Sequence, residues 1–151
     1  MYLHIIGRMD RILAMPCACA SLRRTARAVT QVYGRIMRDS GLEITQFTLL
    51  QVLHGGGEVT QGTLGKYLAM DSTTLSRTLR LLEKRDLIAV RPGRDRRERL
   101  WRITPAGKRT LEQAQPSWKE AQSLLRRALG EAGWKAMMTS ADTVTATAQG
   151  I

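Results

Sequence analysis

Residues 71–103 constrain this chain most. Asp71 precedes Ser72-Thr73-Thr74-Leu75-Ser76-Arg77, and Leu75, Leu79 and Leu82 recur at spacings of four and three. Asp is a strong helix N-cap, and that apolar spacing is one face of a helix. A helix is therefore predicted from Asp71 to about Arg85. After Asp86 the period changes. Leu87–Val90 and Arg99–Ile103 flank Pro92-Gly93-Arg94-Asp95-Arg96-Arg97, a turn-forming stretch between two β-prone runs. Upstream, Thr60 can cap a short helix with Leu64 and Leu68 inward, and Ala69-Met70 make a tight link to Asp71. Two short helices, a tight turn and a following hairpin describe a helix-turn-helix with a wing.

The outward face of the second helix carries the chemistry. Opposite its leucines lie Thr73, Ser76, Arg77, Arg80 and Lys84. Hydroxyl and guanidinium groups match base edges and phosphates. The hairpin is richer still: positions 91–102 hold six arginines, including Arg94, Arg96 and Arg97 at the turn, against Asp95 and Glu98. Arginine forks onto phosphate and fits a narrow minor groove, so these residues are candidates for DNA contact. The whole chain has 24 Lys+Arg and 13 Asp+Glu, a net charge of +11, which suits a polyanionic partner. Aromatic residues make up only 5%, too few for a stacking platform on single-stranded nucleic acid. A winged helix can also serve as a protein-interaction module. Such a face should be apolar or mixed, which this one is not.

The rest of the 151 residues fits around this unit as one domain. Residues 1–17 read as an extension or arm, with Met9 and Met15 as alternative starts. Gly7, Arg8, Asp10 and Arg11 interrupt its apolar stretch too often for a secretory leader. Residues 18–40 form an amphipathic helix on Leu22, Ala26, Val29, Tyr33 and Ile36, ended by Gly41. Thr45 is placed to cap the next helix, which carries Leu49, Val52 and Leu53 and stops at Gly55–Gly57. Residues 41–104 hold the winged helix-turn-helix. Residues 105–151 form C-terminal helices opened by Thr104-Pro105, with a kink expected at Pro116 and a break allowed by Gly130 and Gly133. The fold class is mainly α (α+β), with a two-stranded wing between N- and C-terminal helices.

No catalytic constellation emerges, so an enzyme is not expected. His4 and His54 are isolated, the glycine run has neither a phosphate-loop ending nor a dinucleotide pattern, and no spaced Cys/His set offers a metal site. No cofactor is called for. No apolar run is long enough to span a membrane, and two cysteines make no disulfide framework, which points to a reducing, cytoplasmic setting. Cys17 and Cys19 stand just before a helix with Arg23 and Arg24 in its first turns. The helix dipole and those cations favour the anionic, reactive thiol form, so oxidation there is an alternative regulatory signal; plain packing is the simpler reading.

The order of elements resembles the multiple-antibiotic-resistance regulator (MarR) family of winged-helix repressors. The resemblance rests on Leu42-Glu43-Ile44-Thr45-Gln46-Phe47-Thr48-Leu49-Leu50, Leu64-Gly65-Lys66-Tyr67-Leu68 and Asp71-Ser72-Thr73-Thr74-Leu75-Ser76-Arg77. It continues through Leu82-Glu83-Lys84-Arg85-Asp86-Leu87-Ile88, Asp95-Arg96-Arg97, Leu100-Trp101-Arg102-Ile103-Thr104 and Ala106-Gly107. It implies a homodimer on a pseudo-palindromic double-stranded operator, with Ser72, Thr73, Ser76 and Arg77 in the major groove. It further implies that Asp95 holds the wing loop while Arg97 enters the minor groove. Asp86 stands where the family often has Gly, which requires Asp to take a left-handed conformation. A small-molecule inducer would bind between the dimer helices and the winged helix, where Tyr33, Phe47 and Trp118 are the expected walls.

Overall fold

The computed structural model describes residues 17–95 and 98–151. Residues through Val32 and residues from Tyr33 onward form two separate units. The helix α1 (Ala18–Ile36) begins in the first. There Leu22 and Ala26 are exposed and Val29 is half-buried.

In the second unit, Tyr33 and Met37 are buried, and a 3-10 turn at Arg38–Ser40 ends at Gly41 (φ 72°), the expected stop. Helix α2 (Ile44–Gly56) follows. Its cap is Glu43, not Thr45. Glu43 and Gln46 form a capping box, with Gln46 Oε1 accepting the Glu43 amide at 3.2 Å, and this reciprocal pair leaves Thr45 inside the first turn. Phe47, Leu49, Leu50 and Leu53 are fully buried. A short strand β1 (Val59–Thr60) leads into α3 (Gln61–Leu68), capped by Thr60 Oγ1 on the Thr63 amide at 3.1 Å. Ala69 turns the chain with φ 49°, and Asp71 then caps α4 (Ser72–Lys84). Leu75, Leu79 and Leu82 are buried as their spacing requires.

Asp86 takes the left-handed conformation (φ 58°) and starts β2 (Ile88–Pro92), which pairs antiparallel with β3 (Arg99–Ile103). These two strands are the expected wing, and among the described residues a third strand joins them, in the order β1-β3-β2. The third is only two residues long and pairs Val59 with Trp101, too short to produce an alternation in the sequence. Thr104 Oγ1 caps the next helix on the Gly107 amide at 3.0 Å, with Pro105 in its first turn. That helix, α5 (Pro105–Gln149), leaves helical backbone values at Gly130 (φ 69°, ψ 166°) and not at Pro116. Glycine can occupy the left-handed region without a Cβ penalty, which permits the expected break there. Arg126 bridges the break with a bidentate ion pair to Glu131, both bonds at 2.6 Å.

Candidate nucleic-acid interface

Burying the leucines of α4 forces its other side outward. Ser72, Thr73, Arg77 and Arg80 are exposed, and neither arginine bonds another described residue. The helix starts sharply because Asp71 Oδ1 accepts the Thr74 amide at 2.9 Å while Oδ2 accepts the Thr74 hydroxyl at 2.6 Å. Those Thr74 bonds hold the Asp71 carboxyl below its usual range. The first turn of α4 is thereby fixed.

Ser76 differs from its neighbours. It is half-buried, and its Oγ accepts a 2.8 Å hydrogen bond from Gln61 Nε2 on α3. The sequence did not announce this contact of Gln61, because fifteen positions separate it from Ser76 and the contact is purely tertiary. At the far end of α4, Arg85 donates to the Gly41 carbonyl at 2.9 Å and to Gln46 Oε1 at 3.4 Å. Helix α4 is thus latched at its C-terminal end to the start of α2.

In the hairpin, the Gly93 amide donates to the Glu98 carbonyl at 2.8 Å, and the Glu98 amide to the Asp95 carbonyl at 2.9 Å. Arg94 and Asp95 are exposed at this turn, whereas Arg96 and Arg97 lie outside the described residues. Not every arginine of the run is available to a ligand. Arg91 makes a bidentate ion pair with Glu58, its Nε donating to Oε1 at 2.7 Å. That pairing lowers the Glu58 carboxyl and raises the Arg91 guanidinium from their ordinary values. Glu58, directly before β1, therefore holds the turn end of β2 in place, a constraint invisible in the arginine count.

The expected ligand walls are packed closely. Phe47 is fully buried and stacks on Trp118, ring centroids 5.5 Å apart at 24°. Tyr33 is buried and donates its hydroxyl to Gln122 Oε1 at 2.5 Å, and burial pushes its phenol above the ordinary value. A separate cavity of about 690 Å³ lies beside the helix-turn-helix link, between Lys66, Met70, Asp71, Leu75 and Gln149. Gln149 reaches it from the end of α5 and donates to the Lys66 carbonyl at 2.7 Å. Cys17 and Cys19 are both exposed, and Cys17 Sγ accepts the Ala20 amide at 3.5 Å. Among the described residues no helix is long and apolar enough to cross a membrane, and no group of three His, Cys, Asp or Glu is placed to hold a metal.

Comparison with known proteins agrees with this arrangement. The family model described as MarR family matches residues 40–98. The Mycobacterium tuberculosis transcriptional regulator MosR, solved in complex with DNA, is 30% identical, with a TM-score of 0.80 over 89% of this chain and 97% of that one. Bordetella bronchiseptica BpsR, whose DNA binding is regulated by 6-hydroxynicotinic acid, shares the fold at 24% identity, with a TM-score of 0.78 over 87% and 95% of the two chains. A HTH-type transcriptional regulator of Bacillus subtilis, YwoH, is 27% identical over 92 residues, 61% of this chain and 67% of its own. The family match spans α4 and the first half of the hairpin, and the likeness to MosR extends along nearly all of that protein, so the chain belongs to the MarR family.

Proposed function

We propose that the protein is a homodimeric regulator that binds a pseudo-palindromic double-stranded operator. One observation carries this: on α4 the exposed Ser72, Thr73, Arg77 and Arg80 share a face turned away from the buried leucines. A helix so armed supplies hydroxyl and guanidinium donors to the major groove, and the exposed Arg94 of the hairpin turn is a further cation for the DNA. The DNA complex of MosR supports the same use of the fold. Dimerisation is supported by Leu124, Leu129, Met138 and Val144, which stay exposed along α5 and would be covered by a second copy. A protein of this kind represses until a ligand favours the arrangement that cannot hold DNA. The example of BpsR makes a small aromatic acid the first class to screen, with Tyr33, Phe47 and Trp118 as its walls.

Selection of duplexes from a random-sequence pool tests the reading. An A·T-rich inverted repeat bound by two subunits is the expected result, and retention of no duplex above background would overturn it. A second regulatory signal is favoured by the exposure of both thiols at the start of α1. If they sense oxidants, mild peroxide shifts operator affinity in the parent and leaves a Cys17→Ser/Cys19→Ser variant unmoved. Identical responses would mean that the thiols are bystanders.

A further inference from the structure

A serine hydroxyl can donate one proton and accept through two lone pairs, so by itself it does not distinguish a base acceptor from a base amino group. Inside a helix the usual outlet for the proton is the carbonyl four residues back. Thr78 uses it, donating to the Thr74 carbonyl at 3.0 Å, and Thr48 does the same to Ile44 at 2.9 Å. Ser76 does not. Its Oγ is turned toward α3, where it receives the Gln61 amide proton at 2.8 Å, and among the described residues no acceptor takes its own proton. The neighbouring Thr73 and Arg77 are exposed on the same face, so the hydroxyl is half-buried at the edge of the reading surface.

We infer that Gln61 is a specificity-determining positioning residue: by donating to Ser76 Oγ it commits that hydroxyl to act as a donor toward the DNA. An accepted hydrogen bond also polarises the O–H and strengthens it as a donor. When water is excluded from the interface, a proton without an acceptor costs affinity, so the base facing Ser76 must present an acceptor. Guanine (N7, O6), adenine (N7) and thymine (O4) do so in the major groove, and cytosine presents only its amino group. Ser76 should therefore discriminate against cytosine on the contacted strand by roughly 2- to 12-fold, the worth of one neutral hydrogen bond. The inference rests on the DNA-binding reading above and adds to it a residue that itself touches no base.

The test uses full-length protein and the duplex selected by the parent from a random pool, with each base pair then varied in turn. Ser76→Ala identifies the position concerned, as the one where discrimination against cytosine disappears. Gln61→Ala should reduce discrimination there to less than about twofold, since the freed hydroxyl can turn either way. Gln61→Glu should reverse it. The introduced carboxylate takes the Ser76 proton, leaves lone pairs toward the DNA, and favours the amino groups of cytosine or adenine. The added negative charge weakens every sequence alike, so relative affinities are the readout. Combining Gln61→Ala with Ser76→Ala should change the preference at that position no further than Ser76→Ala alone. Circular dichroism and thermal melting confirm that the variants fold, and Gln61→Asn, too short to reach, provides a second way of breaking the bond.

A parent that selects a sequence which Ser76→Ala alters but all three Gln61 variants leave intact overturns this inference and spares the DNA reading. Ser76→Ala without effect at any position overturns it as well. A parent that selects no sequence at all fails at the earlier step, and the DNA reading goes with it.

Discussion

If α4 reads DNA as proposed, Arg77 and Lys66 divide the work of recognition. Arg77 is exposed on the reading face of α4, whereas Lys66 is exposed on α3, the helix that crosses the backbone in this motif. Arg77→Ala should cost about 1–3 kcal/mol at one base position and blur the preferred sequence. Lys66→Ala should weaken all duplexes by a similar factor and leave their ranking unchanged. Titrations against a panel of single-base operator variants separate the two patterns, and identical rankings in both variants would mean the reading face is misassigned. Asp71 yields a pH prediction of definite sign. Its carboxyl is held low by the two Thr74 bonds, so the folded protein binds that proton less readily than the unfolded chain. The stabilisation is present above the unfolded carboxyl range and is lost as pH falls through the lowered folded value. Asp71→Asn retains a capping oxygen, so stability near neutrality should hold while the acid side of the melting profile flattens. A variant profile that falls as steeply as the parent's would show that other carboxylates govern acid unfolding.

Helices and turns show which parts of the fold a sequence can announce. The Thr60, Asp71 and Thr104 caps were legible because a cap is a local bond, made to an amide three residues away. The left-handed Asp86 was legible through the resemblance, and its φ of 58° agrees. Asp86→Gly should then stabilise the protein by less than about 1 kcal/mol in urea unfolding, since removal of the Cβ penalty is partly offset by the greater entropy glycine loses on folding. Tertiary contacts were not legible: the Gln61–Ser76 bond, the Arg85 latch on Gly41 and the Glu58–Arg91 pair join residues 15, 44 and 33 positions apart. Gly107 is an intermediate case. It belongs to the quoted sequence pattern, but the reason for glycine there is spatial. A Cβ at that position would run into the Leu87 carbonyl and come within 2.8 Å of Ile103 Cγ1. The same carbonyl accepts the Thr104 amide at 3.1 Å, so it cannot swing aside without uncoupling the start of α5 from the sheet. Gly107→Ala should cost about 1–3 kcal/mol by overpacking. Urea unfolding measures it, and an unchanged midpoint would show that the helix start can move.

For the molecule as a whole, charge governs binding strength more than any one contact. A net charge of +11 on 151 residues attracts DNA of any sequence, and each neutralised phosphate releases condensed counterions. Not all of the 24 Lys and Arg are available, however. Arg91 and Arg126 are paired with Glu58 and Glu131, so the count of cations overstates the phosphate contacts. Arg80, Lys66 and Arg94 are exposed, and a two-fold dimer would present each of them twice. Roughly 6–10 phosphate contacts per dimer would give a log–log slope of affinity against salt of about −5 to −9. Between about 50 and 200 mM salt the affinity should then fall by roughly 10³- to 10⁵-fold. Lys66→Ala should make the slope shallower by about two in the dimer, one per subunit, whereas releasing Arg91 through Glu58→Gln should steepen it. That opposed pair guards against a trivial result, because nonspecific loss of folding shifts affinity without steepening the salt dependence. A nearly flat plot for the parent would mean that the basic surface serves some partner other than the phosphate backbone. The same outcome would remove the reason for placing the arginine hairpin against DNA.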